Sequence, residues 1–169
     1  ISVLLSYNIY FHENTFAVSI INSNVPDYYK ATLYNSKFAL FCNFETGSII
    51  IENRDTGYLW KTIIDNPVDY ELDNISSYWK NYISSILVIN YTDLQKNDGT
   101  TQKAFSAKDA KITDAEVNND TISLDYEFSE LGIFLSLEIS LEEDGVVIAI
   151  PSSKIEEKSR YGIVSIEIA

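Results

Sequence analysis

The sequence predicts an all-β fold: a large antiparallel β-sandwich, supersandwich-like, with about eleven strands and little or no helix. Three observations predict it. Aromatic residues make up 13% of the chain, mostly Tyr and Phe, and Val, Ile and Thr are plentiful, which is the side-chain set that fits a pleated, half-buried surface. Several stretches alternate apolar and polar residues with a period of two, so that one face is buried and the other wet. Turn signals built on Gly, Asn or Asp recur at roughly ten-residue spacing.

Residues 1–30 are irregular. Two apolar runs, 1–5 and 16–21, read as short strands, and Asn22-Ser23-Asn24 with Pro26 ends the second. From residue 31 the strand signal sharpens: 32–35 and 37–44 are short apolar runs, followed by the turn Glu45-Thr46-Gly47. Ser48-Ile49-Ile50-Ile51-Glu52 is the next strand, Asn53-Arg54-Asp55-Thr56-Gly57 the next turn, and Tyr58-Leu59-Trp60-Lys61-Thr62 a further strand. Two Gly-bearing turns in succession make a β-meander.

Residues 65–82 differ. They combine Pro67, the acids Asp69, Glu71 and Asp73, and the aromatic group Tyr78-Trp79-Lys80-Asn81-Tyr82, with no clean period of two or 3.6. A long connection with one helical turn is the expectation, and loops of this length are usually functional or mobile. Strands follow at 84–92, 101–107 and 110–117, with Asn97-Asp98-Gly99-Thr100 as a turn and Lys108-Asp109 as a break. Apolar residues at 122, 124, 126 and 128, and again at 133, 135, 137, 139 and 141, give the clearest alternation. Glu142-Glu143-Asp144-Gly145 turns into a strand at 146–150, and 161–168 alternates again. No internal repeat stands out. A chain of 169 residues with 46% hydrophobic content can build one core, so 31–169 reads as one domain with 1–30 as an appendage.

Charge and composition exclude several functions. A net charge of −13 leaves no basic cluster to displace counterions from phosphates, which argues against nucleic acid and anionic membrane surfaces as partners. Cys42 is the single cysteine, so no internal disulfide is available, and its apolar neighbours make it a small buried hydrophobe. The longest apolar stretches fall well short of the ~20 residues that span a bilayer. The chain has no Met and opens on Ile1, so the expectation is that the initiator, and any export signal, lies upstream.

At residues 38–62 and 84–91 the chain resembles a known pattern. The order strand, Glu45-Thr46-Gly47, strand, then Asn53-Arg54-Asp55-Thr56-Gly57-Tyr58-Leu59-Trp60, and later Ser84-Ser85-Ile86-Leu87-Val88-Ile89-Asn90-Tyr91, is similar to the N-terminal, mutarotase-like β-sandwich of a family of large exported bacterial proteins of unassigned function. The resemblance covers roughly residues 31–169. It implies a glycoside-hydrolase-type barrel downstream and an extracellular or cell-surface location, and it supplies no catalytic residue at any matched position.

The individual motifs are barren of catalysis. Asp55-Thr56-Gly57 spells the aspartic-protease signature, but that chemistry needs two carboxylates sharing a proton on loops leaving hydrophobic strands, and Glu52-Asn53-Arg54 is polar. His12 is the single histidine, so neither a Ser-His-Asp nor a His-rich metal site can be assembled. Asp69, Glu71 and Asp73 are spaced loosely like a Ca²⁺ loop but lack its mid-loop Gly and distal Glu. No metal, cofactor or catalytic residue is assigned, and Trp60 reads as core. The residues with chemistry to offer are Tyr78, Trp79 and Tyr82, whose ring faces suit the C–H face of a sugar. The expected function is a non-catalytic sandwich domain that packs against a downstream domain of the same chain and shapes its cleft. A carbohydrate-binding module, or a structural or adhesion module, is the alternative.

Overall fold

The computed structural model describes residues 24–64, 74–96 and 98–168. In chain order these form β1 (Lys30–Tyr34), β2 (Phe38–Cys42), β3 (Ile49–Asn53), β4 (Leu59–Lys61), α1 (Ser77–Ile83), β5 (Leu87–Asp93), β6 (Thr101–Phe105), α2 (Ser106–Asp109), β7 (Lys111–Asn118), β8 (Thr121–Phe128), β9 (Ile133–Leu141), β10 (Val146–Ala149), β11 (Glu156–Glu157) and β12 (Tyr161–Ile168). The fold is an all-β antiparallel sandwich, with twelve strands and two short helices among the described residues. Residues 1–23, where two strands were expected, and the acids at 69–73 lie outside those residues.

The first sheet is the expected meander, in the order β1-β2-β3-β4. An Asn begins each of its turns. Asn35 Oδ1 accepts from the N–H groups of Lys37 and Phe38, both at 2.8 Å. The two later turns share one design. In each, the Asn backbone carbonyl (residue 43 or 53) accepts from a Gly N–H at 2.7 Å, and its side-chain oxygen accepts from the N–H of the acid two residues on. Gly47 and Gly57 close these turns at φ +75° and +70°, where a Cβ is disfavoured. The Asn-x-acid-Thr-Gly turn at 43–47 therefore recurs at 53–57. The sequence holds a short repeat after all, and Asp55-Thr56-Gly57 is one copy of its closing half.

The second sheet runs β12-β5-β6, and the third runs β10-β9-β8-β7. β11 pairs with the same edge of β9 as β10 does: Ala149 lies opposite Glu138 and Glu156 opposite Phe134. One edge strand has thus been split in two, with Pro151 and a 3₁₀ turn at Ser152–Lys154 lifted out of the ladder between the halves. Proline cannot donate to a ladder, which explains the break.

The inward faces of all three sheets share one apolar core. Leu40 and Ile49 from the first, Leu87 and Ile89 from the second, and Leu124, Phe128, Ile133 and Leu137 from the third are all fully buried within it. Burying each such side chain contributes ~1.5–3 kcal/mol. The alternation along β8 and β9 is the expected one, apart from Ser136, which is buried on the opposite side. Two expectations need correcting. Residues 106–109, read as strand and break, form the helical turn α2, because the Asp109 carboxylate accepts from the Phe105 N–H at 2.9 Å and Ser85 Oγ accepts from the Ala107 N–H at 3.0 Å. Trp60, read as core, is 45% exposed: it lies opposite Ile51, but on β4, the edge strand of its sheet among the described residues.

Candidate functional site

The aromatic group at 78–82 is carried by α1, a longer helix than the single turn expected. Ser76 starts it, its Oγ accepting from the Trp79 backbone N–H at 3.5 Å. Residues 78 and 82 are then four apart and share one helix face. Both of their rings meet Phe105 of β6 edge-on, with centroids 5.3 and 6.4 Å away. Phe105 is buried at 6% exposure beneath them, so α1 is pinned to the outer face of the second sheet. Trp79 points outward, 54% exposed, between Tyr78 and Tyr82, with ring centroids 5.5 and 5.6 Å apart.

Beside these rings lies a polar network that the sequence did not single out. The ladder sets Asn90 of β5 opposite Ser165 on one side and Lys103 on the other, with Glu167 two pairs along, opposite Val88 and on the same face. Glu167 is the hub. It accepts from Tyr82 Oη at 2.8 Å, from Asn90 Nδ2 at 2.7 Å and from Lys103 Nζ at 2.6 Å. The Lys103 ammonium, then the Asn90 amide and the Tyr82 hydroxyl, hold its carboxyl down at about 2. The same contacts raise the Tyr82 phenol and the Lys103 ammonium above their usual values. Asn90 Nδ2 also donates to Ser165 Oγ at 2.9 Å. Lys103 Nζ covers the Tyr82 ring at 5.4 Å.

The result is a surface that presents the exposed Trp79 ring and joins it, through Tyr82, to a row of fixed hydrogen-bonding groups. Glu167 is a permanently ionised acceptor at neutral pH, and a glycosidic acid requires a carboxyl shifted the other way. The arrangement can bind a polar ligand with an apolar face. Glu167 itself, being ionised, has no proton to donate to one.

Cys42 is fully buried in β2, and burial pushes its thiol up to about 12, which leaves no thiolate for chemistry. Glu142 to Gly145 form the expected hairpin, with the Glu142 N–H donating to the Gly145 carbonyl at 2.8 Å and Asp144 paired with Lys37. No group of three or more metal-ligating side chains occurs among the described residues, and His12 lies outside them. Two adjoining hollows of 230 and 340 Å³ on the outer face of the third sheet share Asp125 and Lys154. The two groups nearest both are already engaged: Ser136 Oγ donates to Asp125, and Lys154 pairs with Glu138 at 3.1 Å. The face of Phe134, their aromatic ring at one end, is taken by Lys158 Nζ at 4.5 Å. Among the described residues no helix is long and apolar enough to cross a membrane.

No protein-family model matches the chain, and a search of curated proteins returns no match.

Proposed function

We propose that this chain is a non-catalytic β-sandwich domain of an exported carbohydrate-processing protein, and that the α1 surface is its carbohydrate contact. The observation that carries the reading is Trp79: a large apolar ring left 54% exposed, held by two Tyr rings on a buried Phe105, with Tyr82 tying the group to the Glu167, Asn90, Lys103 and Ser165 network. Burying such a ring is worth several times RT, so a fold that leaves it outside forgoes stabilisation that a ligand can recover. Sugars match this surface in kind, because a pyranose has an apolar C–H face and a rim of hydroxyls.

Immobilised glycans test the reading. The intact chain is retained on at least one glycan and Trp79→Ala is not, while the variant keeps its melting temperature because the ring adds little to the core. Retention that is indifferent to Trp79→Ala refutes the assignment of the site. Turnover of aryl-glycosides by the chain refutes its non-catalytic character.

A second reading, docking against another domain of the same protein, is favoured by one observation. Tyr82 of α1 is tied to Glu167 in β12, so polypeptide following that strand starts beside the aromatic group. Such a neighbour covers Trp79, and addition of the isolated neighbouring domain then shifts the Trp79 fluorescence that glycans leave unchanged.

A further inference from the structure

Resting on the carbohydrate reading, the geometry points to the ligand class: a soluble, uncharged oligosaccharide chain, held by one stacked ring at Trp79 and by hydroxyl contacts along the outer face of the second sheet. Ring orientation is the first argument. Adsorption to the flat face of a crystalline polysaccharide requires several aromatic rings in one plane, whereas Trp79 is turned 89° from Tyr78 and 67° from Tyr82. Tyr82 is also spent, and Tyr78, 44% exposed, stands at right angles to Trp79 and cannot share its plane. Tyr78 and Tyr82 pack on Phe105, the Tyr82 hydroxyl is bound to Glu167, and Lys103 sits over the Tyr82 ring. Among the described residues Trp79 is therefore the most exposed ring of the group, and with no second ring coplanar to it, it seats a single sugar unit.

The second argument comes from the polar row. Glu167, Asn90 and Ser165 hold one another in place, so their remaining lone pairs and protons are presented in fixed directions to a chain extending from Trp79 over β5 and β12. Preorganised groups of this kind suit vicinal hydroxyls, which both donate and accept.

Charge supplies the third. A uronate or sulfate ester needs a spare cation. Lys103 is already paired with Glu167 at 2.6 Å, and Lys80 on α1 is one positive charge on a chain whose net charge is −13. A polyanion is repelled by that field before it reaches Trp79.

The full chain as Trp60→Phe keeps Trp79 as its sole tryptophan, so indole fluorescence reports the site directly. The probes are cellohexaose, xylohexaose, mannohexaose and laminarihexaose in solution, microcrystalline cellulose and α-chitin as solids, and polygalacturonate and heparin as polyanions. The expected result is saturable fluorescence change with at least one neutral hexasaccharide, weakened about tenfold or more by Glu167→Gln with Asn90→Ala, and no retention on either solid. Retention on cellulose or chitin that Trp79→Ala abolishes overturns the soluble-chain class and leaves the carbohydrate reading standing. So does tighter binding of a polyanion than of any neutral hexasaccharide. No response to any of the eight probes, with the fold intact by circular dichroism, overturns the carbohydrate reading itself.

Discussion

Replacing Gly47 by Ala sets two separable costs against the same turn. The first is conformational: at φ +75° a Cβ crowds the backbone, at about 1–2 kcal/mol. The second is a collision. A Cβ built on Gly47 falls 1.7 Å from the Tyr126 hydroxyl, 2.9 Å from its Cζ and 3.3 Å from Leu124 Cδ1. Tyr126 has no room to withdraw: it is 2% exposed, and its hydroxyl donates to the Thr46 carbonyl at 3.4 Å. Overpacking of a fixed core side chain adds about 1–3 kcal/mol. Gly57 is the internal control. It has nearly the same φ, +70°, in the same kind of turn, and a Cβ there meets nothing within 4 Å. Gly57→Ala is therefore expected to cost only the conformational part, reduced by the entropy that Ala removes from the unfolded chain, for about 1 kcal/mol net. Gly47→Ala is expected to cost about 2–5 kcal/mol, a drop in melting temperature on the order of 10 °C for a domain of this size. Urea titration of the two variants measures the difference. Adding Tyr126→Phe to Gly47→Ala removes the nearest atom and returns on the order of 1 kcal/mol, while the ring carbon at 2.9 Å keeps recovery incomplete. Equal destabilisation by Gly47→Ala and Gly57→Ala would show that the turn does not press on Tyr126.

Other expectations follow from the core, the helix cap and the Glu167 hub. Leu137→Ala, at a fully buried site, is expected to cost about 2–5 kcal/mol by urea unfolding. Cys42 should react with a thiol reagent only at the rate of unfolding, so labelling as fast as that of free cysteine in native buffer contradicts its burial. Ser76→Ala removes the α1 cap and is expected to cost up to about 1 kcal/mol, visible as altered Trp79 fluorescence without loss of the sheet signal. Glu167 has a folded value of about 2 against an ordinary 4.5, so its contribution is full above that ordinary value and is lost as pH falls toward 2. Trp79 emission of the folded protein should therefore hold constant from neutral pH through the ordinary carboxylate range and change only as pH approaches about 2, and Glu167→Gln should flatten that profile.

The elements most legible in the sequence were those whose pattern is local. β8 and β9 alternate cleanly because each covers the core with one face, and the meander declares itself through its Gly turns. β11 was invisible because Glu156-Glu157 has no apolar pattern, and its pairing comes from the free edge of β9. α2 depends in part on Ser85, some twenty residues away, and its local support, Asp109 on the Phe105 N–H, read as a break between strands. The site divides in the same way. Tyr78, Trp79 and Tyr82 were visible as a cluster of rings, and the structure brings them together. Asn90, Lys103, Phe105 and Glu167 were not visible, because they become neighbours only through the register of β12, β5 and β6. One signal was available and unread: the letters Asn-x-acid-Thr-Gly occur twice, ten residues apart.

The split between β10 and β11 bears on how copies of this protein meet one another. An unbroken outer strand offers a row of free amides and carbonyls along which a second chain can zip. Here the outer row is interrupted by Pro151 and the 3₁₀ turn, and resumes for only two residues, both Glu. A strand approaching from solvent finds two short stubs, a lifted loop between them and negative charge on the second. Cross-β stacking on that margin is blocked by shape and by charge together, which suits a chain rich in strands to staying dispersed at high concentration.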